Sequence, residues 1–232
     1  MILLDQAVDG APKPGPVMEP SEGVGVHMAF ARGEEIFAQD EEADLLYQVV
    51  SGAVRTTRIL SDGRRQIGDF YFKGDHFGFE SGPFHRFAAE ALTTCKILAF
   101  RPGATLPGRE GDARRQAALW EATIQELERS REHLMLLGRH TALERVGVFL
   151  LSLARRMGDG ELTMGRQDMA DYLGLTTETV SRMLSRLQAE GVIELSGARG
   201  FRLLRTDRLA AWAETSPSPA AAEHRWGPSH SE

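Results

Sequence analysis

Between residues 164 and 193, apolar positions recur at helical spacing, stop at a glycine, and start again. Met169, Ala170 and Leu173 share one face of a helix predicted over residues 166–172, and the small Ala170 lets a second helix pass close by. Gly174 gives the freedom a sharp turn needs, and Leu175 plugs the space between the helices. Thr176 or Thr177 can cap the helix that follows. In that second helix Val180, Leu184 and Leu187 face inward, leaving Thr177, Glu178, Ser181, Arg182 and Ser185 outside. Two short apolar runs, 192–195 and 201–204, flank the turn SGARG. A plain antiparallel helix pair would explain the helices alone. Helices and hairpin together predict a winged helix-turn-helix within residues 139–212.

Upstream the period changes from 3.6 to 2. Residues 47–50, 54–60 and 65–72 alternate as strands, split by turns at Ser51-Gly52 and Ser61-Asp62-Gly63. Gly33, Gly52, Gly63, Gly74 and Gly78 punctuate this antiparallel β region, and 93–100 is a further apolar strand. A long helix is expected over 111–137. Its Ala117, Trp120, Ile124, Leu127, Arg131 and Leu134 follow each other at heptad spacing. Three heptads fit either a dimer seam or a helix packed on its own domain. Arg131 interrupts the seam and either pairs across it with Glu128 or Glu132 or extends outward. Gly138 ends the helix as a hinge, and a further helix, 140–157, buries Val146, Phe149, Leu150 and Leu153. The fold class is therefore α+β. A flexible leader is expected over 1–23, a β domain over 24–110, a dimerisation helix over 111–138 and a disordered tail over 213–232.

Composition and charge refine the expected elements. The net charge of −6 suits a DNA-binding protein poorly, but it is unevenly spread. Residues 139–212 carry 11 Arg and no Lys against 9 Asp and Glu, whereas residues 1–138 carry 15 basic and 21 acidic groups. The acidity lies outside the helix-turn-helix. No apolar stretch is long enough for a membrane span, and residues 1–20 lack a signal peptide's basic start and apolar run, so a cytoplasmic location is expected. The single cysteine, Cys95, sits in an apolar strand where a buried thiol is expected. One cysteine excludes an internal disulfide and the roughly four ligands of an iron–sulfur cluster.

The outward face of the second helix carries the chemistry. Glu178 and Arg182 are four apart and share a face, with Ser181 beside them. A carboxylate accepts from the cytosine amino group, a guanidinium binds guanine O6 and N7 or a phosphate, and a serine meets several bases. The plain alternative is a solvated ion pair worth a few tenths of a kcal/mol. At the start of a recognition helix base readout is the better reading. Thr176, Thr177, Ser185, Arg186 and Arg199 complete the candidate DNA-binding set.

The string Glu178-Thr-Val-Ser181-Arg182 resembles the Glu-x-x-Ser-Arg signature of Fnr-type members of the Crp/Fnr transcription regulators. Crp-type members have Arg-Glu-x-x-Gly-Arg, where this chain has Thr177 and Ser181. The resemblance implies a homodimer on a two-fold site with TTGAT-like half-sites, contact with RNA polymerase, and base-reading roles for Glu178, Ser181 and Arg182 only. It also implies that residues 24–102 form a cyclic-nucleotide-type β-roll. In nucleotide-binding members a Glu holds the ribose and an Arg-Ser pair the phosphate. Here Phe79 stands in place of that Glu, Glu80 comes one position late, and His85-Arg86 replaces Arg-Ser before Phe87. A phosphate cradle wants small residues and free backbone N–H groups, whereas three phenylalanines (Phe79, Phe84 and Phe87) crowd this stretch. Cyclic nucleotide is therefore not expected, and neither is any other cofactor.

His76 and His85 flank the altered pocket and would be the haem candidates, but they are read as surface residues. An intact reader without cluster cysteines is similar to the FixK-like branch, whose members are usually activators of microoxic respiration, denitrification or nitrogen-fixation genes. Ligand gating through the roll is the alternative within the class. No nucleophile–base pair, P-loop or metal motif argues for an enzyme, and Glu80 with Glu90 does not make one. A protein-interaction module without DNA binding is the remaining class, and a gel shift separates it.

Overall fold

The period-two segments pair because glycines between them can take turn conformations that other residues resist. The computed structural model describes residues 25–101, 109–138, 141–157, 164–196 and 200–214. Its N-terminal part has β1 (Val26–Phe30), β2 (Glu35–Phe37), β3 (Leu46–Ser51), β4 (Ala53–Ile59), β5 (Arg65–Phe72), β6 (His76–Phe77), β7 (Ala88–Ala91) and β8 (Cys95–Phe100). They pair antiparallel in two four-stranded sheets, ordered β1-β8-β3-β6 and β2-β7-β4-β5. Strands expected at 47–50, 54–60, 65–72 and 93–100 are β3, β4, β5 and β8. The alternation did not reveal the short β2, β6 and β7, or β1, of which only Phe30 is buried. All five turn glycines have φ between 81° and 94°. At Gly52 a Cβ would also lie 2.5 Å from the Thr94 carbonyl oxygen, so only glycine fits.

Phe37, Tyr47, Tyr71, Phe77 and Ile97 fill the space between the sheets. The outer face of β5 is apolar as well. The β4–β5 register shifts so that Gly68 and Asp69 oppose Thr56 alone, a bulge held where the Asp69 N–H donates to Thr56 Oγ1 at 3.0 Å.

The helical part comprises α1 (Arg109–Leu137), α2 (Ala142–Met157), α3 (Arg166–Leu173), α4 (Thr177–Ala189), the hairpin β9 (Ile193–Ser196) and β10 (Gly200–Leu203), and α5 (Thr206–Glu214). Helix α2 begins later than the expected 140 because Thr141 and Glu144 form a capping box, each side chain accepting from the other's backbone N–H at 3.2 Å. His140 lies outside the described residues. Ile67, Phe70 and Phe72 of β5 join Phe149, Leu150, Met169, Leu173 and Leu187 in one continuous core. Roll and reader thus share a core. Helix α5 was not anticipated: Leu209 is fully buried, and Trp212 packs where Gly147 has no side chain, a Cβ there being 2.7 Å from the indole. It runs to Glu214, so the expected tail boundary at 213 falls inside it. The expected leader, residues 1–23, lies outside the described residues.

Candidate nucleic-acid interface

Helix α3 ends at Gly174, which adopts the left-handed conformation (φ 62°, ψ 40°) and directs its N–H to the Ala170 carbonyl. The Leu175 N–H reaches the same oxygen at 3.0 Å, and its side chain packs on the core. Thr176 is the N-cap of α4, its Oγ1 accepting from the Thr179 N–H at 3.2 Å. Val180, Leu184 and Leu187 are buried, which holds the opposite side of α4 outward. On that side Glu178, Arg182, Ser185 and Arg186 are exposed, and Thr177 and Ser181 are half-buried.

Glu178 has no ion pair among the described residues, and Arg182 Nη2 donates to Thr179 Oγ1 at 3.4 Å instead. The surface ion pair considered for these two is absent, so both charges face outward unmatched. Ser181 Oγ accepts from Arg166 Nη1 at 3.3 Å, and Ser185 Oγ donates back to the Ser181 carbonyl at 3.0 Å. Thr177 Oγ1 donates to Gln167 Oε1 at 2.7 Å. Arg186 is bound to Glu190 at 2.8 Å, one turn along and away from the reading end. Arg199 lies outside the described residues.

The sequence reading missed the residues that fix this surface to the roll. Arg55 of β4 and Arg65 of β5 both reach Asp168 Oδ1 of α3 at 2.7 Å, and Arg65 also holds Asp171 at 2.7 Å. Burial works against the Arg65 charge, but Asp171 and Asp168 outweigh it and raise its pKa. Arg55 is steadied from behind by Glu90. The β5 bulge turns Asp69 toward Arg129 of α1 (3.0 Å) and Arg156 of α2 (3.7 Å), and Asp75 binds Arg156 at 2.8 Å. His133 of α1 stacks on Tyr172 of α3 at 3.8 Å between ring centres, its Nε2 lying 2.8 Å from the Tyr172 carbonyl oxygen. The i,i+4 pair Gln167–Asp171 was the one local sign of a polar network on α3.

The heptad positions of α1 lie on the side away from the roll. Trp120 is 69% exposed, Leu127 45% and Leu134 70%, with Ala117 and Arg131 also exposed and Ile124 half-buried. The opposite side of α1 packs inward through Ala122, Arg129 and Leu136. Trp120, Leu127 and Leu134 are therefore not packed on the chain's own domain, whereas Ile124 partly is.

In the altered pocket of the roll the charged residues pair with each other. Glu80, largely buried, accepts from Arg86 Nε at 2.8 Å and from the Arg86 backbone N–H at 2.9 Å. Phe79 packs with Leu46, Leu98 and Phe100, and Phe87 lies against Gly68. Phe84, expected to crowd the pocket, is 56% exposed instead. The two histidines expected at the surface are instead buried. His85 is 1% exposed and stacks on Phe37 at 3.7 Å, and His76 is 6% exposed with Phe100 edge-on. Burial lowers the pKa of both, that of His76 to about 4. Cys95 is buried as expected, its thiol pushed up to about 11 by burial and Glu34.

A polar reading face on a capped second helix, with a hairpin behind it and a β-roll in front, defines a transcription regulator with a DNA-binding helix-turn-helix. Residues 144–212 match the Crp-like helix-turn-helix domain and residues 27–106 the cyclic nucleotide-binding domain. The chain belongs to the Crp/Fnr family, in its FixK-like branch. It is 44% identical over 212 residues to the nitrogen fixation regulation protein FixK of Azorhizobium caulinodans, covering 88% of this chain and 84% of that one. Identity to FixK of Rhizobium meliloti is 40%, covering 82% and 88%. The solved structure of FixK2 from Bradyrhizobium japonicum superposes with a TM-score of 0.74 at 45% identity, covering 82% of this chain and 97% of that one. No helix among the described residues is long and apolar enough to cross a membrane.

Proposed function

We propose that the chain is a homodimeric activator of microoxic or anaerobic metabolism genes that reads a TTGAT-type palindrome with no bound cofactor. The observation that carries this is the unmatched pair Glu178 and Arg182 on the outer face of α4. A carboxylate and a guanidinium one helical turn apart and free of each other suit the cytosine amino group and the guanine O6 and N7 of the half-site's single G·C pair in the major groove. Glu178, Ser181 and Arg182 read bases, with Thr177 beside them. Thr176, Ser185, Arg186 and Arg199 serve the helix start, its flank, and the phosphates. Two copies meet along Trp120, Leu127 and Leu134, so that two α4 helices address two half-sites one helical turn apart. Activation requires contact with RNA polymerase, and the protein works in the cytoplasm with its promoters. Mutual neutralisation of Glu80 and Arg86 supports a roll that holds no cyclic nucleotide.

Binding of purified, ligand-free protein in air to the TTGAT palindrome and to a scrambled duplex tests this. Tight, selective binding is expected. Equal binding to both duplexes overturns the readout, and binding only after addition of a small molecule favours the ligand-gated alternative.

A further inference from the structure

Thr177, the first residue of α4, is the end of a hydrogen-bonded chain that begins in the roll. Arg65 Nε on β5 donates to Asp171 Oδ2 at 2.8 Å, and Gln167 Nε2 donates to the other carboxylate oxygen, Oδ1, at 2.6 Å. Thr177 Oγ1 then donates to Gln167 Oε1 at 2.7 Å. Chemistry fixes the direction of every link. A guanidinium only donates and an ionised carboxylate only accepts. The amide of Gln167 must therefore turn its NH2 to Asp171, because the reverse would set two acceptors face to face. That leaves its oxygen as the acceptor for the Thr177 hydroxyl. The origin of the chain is well shielded, the Arg65 and Asp171 side chains being 27% and 12% exposed.

We propose that Gln167 and Asp171, and through them Arg65, are positioning residues for DNA readout. The relay commits the Thr177 proton inward, so Thr177 presents only lone pairs to the groove. That arrangement favours the amino group of adenine or cytosine and disfavours a base acceptor or a phosphate oxygen. Without the relay the hydroxyl rotates and discriminates between neither. The inference rests on the DNA-reading role proposed above and adds two things: the hydrogen-bond polarity of one position, and its dependence on a strand of the roll.

Fluorescence anisotropy of the full chain on the palindrome and on a scrambled duplex tests it. Asp171→Ala separates the explanations by sign. Loss of an acid close to DNA strengthens binding to every duplex through charge alone. The relay predicts about fivefold weaker binding to the palindrome, with the scrambled duplex unchanged or tighter. Arg65→Ala and Thr177→Val each weaken palindrome binding by about fivefold, and the double variant is no weaker than the worse single one, because both break the same chain. Arg65→Lys keeps a donor for Asp171 and recovers most of the loss. Losses that multiply in the double variant, or that fall equally on both duplexes, overturn the relay alone when the unmodified chain binds selectively. Failure of the unmodified chain to prefer the palindrome overturns the relay and the proposed function together.

Discussion

In the roll, Glu80 and Arg86 are six residues apart and bound to each other, with Glu80 also taking the Arg86 backbone N–H. On α4, Glu178 and Arg182 are four residues apart and unpaired. The same two side-chain types therefore have opposite fates in the two domains. In the roll a loop closes on itself, and the backbone bond holds the carboxylate where the guanidinium reaches it. On the helix the backbone groups are already used, and an exposed i,i+4 ion pair is worth only a few tenths of a kcal/mol. Sequence spacing was a poor guide to pairing here. The two surfaces differ in whether their charges are already matched inside the chain.

Breaking the seam should produce the largest effect. Leu127→Glu combined with Leu134→Glu places charges on an exposed stripe, so the monomer should melt almost unchanged. Sedimentation should report a single chain, and palindrome binding should weaken by about a hundredfold or more as two linked contacts become one. Retained tight binding by a monomer would show that the reader works alone. Arg182→Ala comes next, with about 1–3 kcal/mol lost on the palindrome. An equal loss on scrambled DNA would make Arg182 a phosphate contact and weaken the contrast with Arg86.

On the roll side the prediction concerns acid. His76 has its pKa lowered from 6.5 to about 4 by burial and by Arg129, against the opposing pull of Asp75. The folded state therefore resists a proton that the unfolded chain accepts. Stability from this group is complete above pH 6.5 and falls as pH drops toward 4. A loss on the order of 1–2 kcal/mol by pH 5 is expected. Thermal melts across this range should flatten in His76→Phe, and an unchanged slope would sink the assignment. The smallest expected effect is none at all: titration calorimetry with cyclic AMP or cyclic GMP should give no binding heat. A binding isotherm would mean that the Glu80–Arg86 pair opens for a ligand.

The reader was legible because its turn glycine, cap and buried triad are local. Gly174, the capping threonines and Val180, Leu184 and Leu187 all act within a few residues of one another. The heptad on α1 could be read as a stripe, but only the fold showed that it faces away from the roll. The clamp of Arg55 and Arg65 on Asp168 and Asp171 was invisible, because its partners lie about a hundred residues apart on a strand pair and a helix. His76 and His85 were misread because polar type outweighed their apolar neighbours. Helix α5 was missed because its anchor, Trp212, gains meaning only beside Gly147.

Asp168 bears on whether the two halves of such regulators are portable. One of its carboxylate oxygens serves two guanidinium groups from the roll, and its side chain is only 8% exposed. A chimera joining this reader to a roll without arginines at positions 55 and 65 would leave that carboxylate shielded and uncompensated, an arrangement that costs several kcal/mol. Transfer of this reader onto another roll is then constrained by Asp168, Arg55 and Arg65 together, however well the recognition helix itself is preserved.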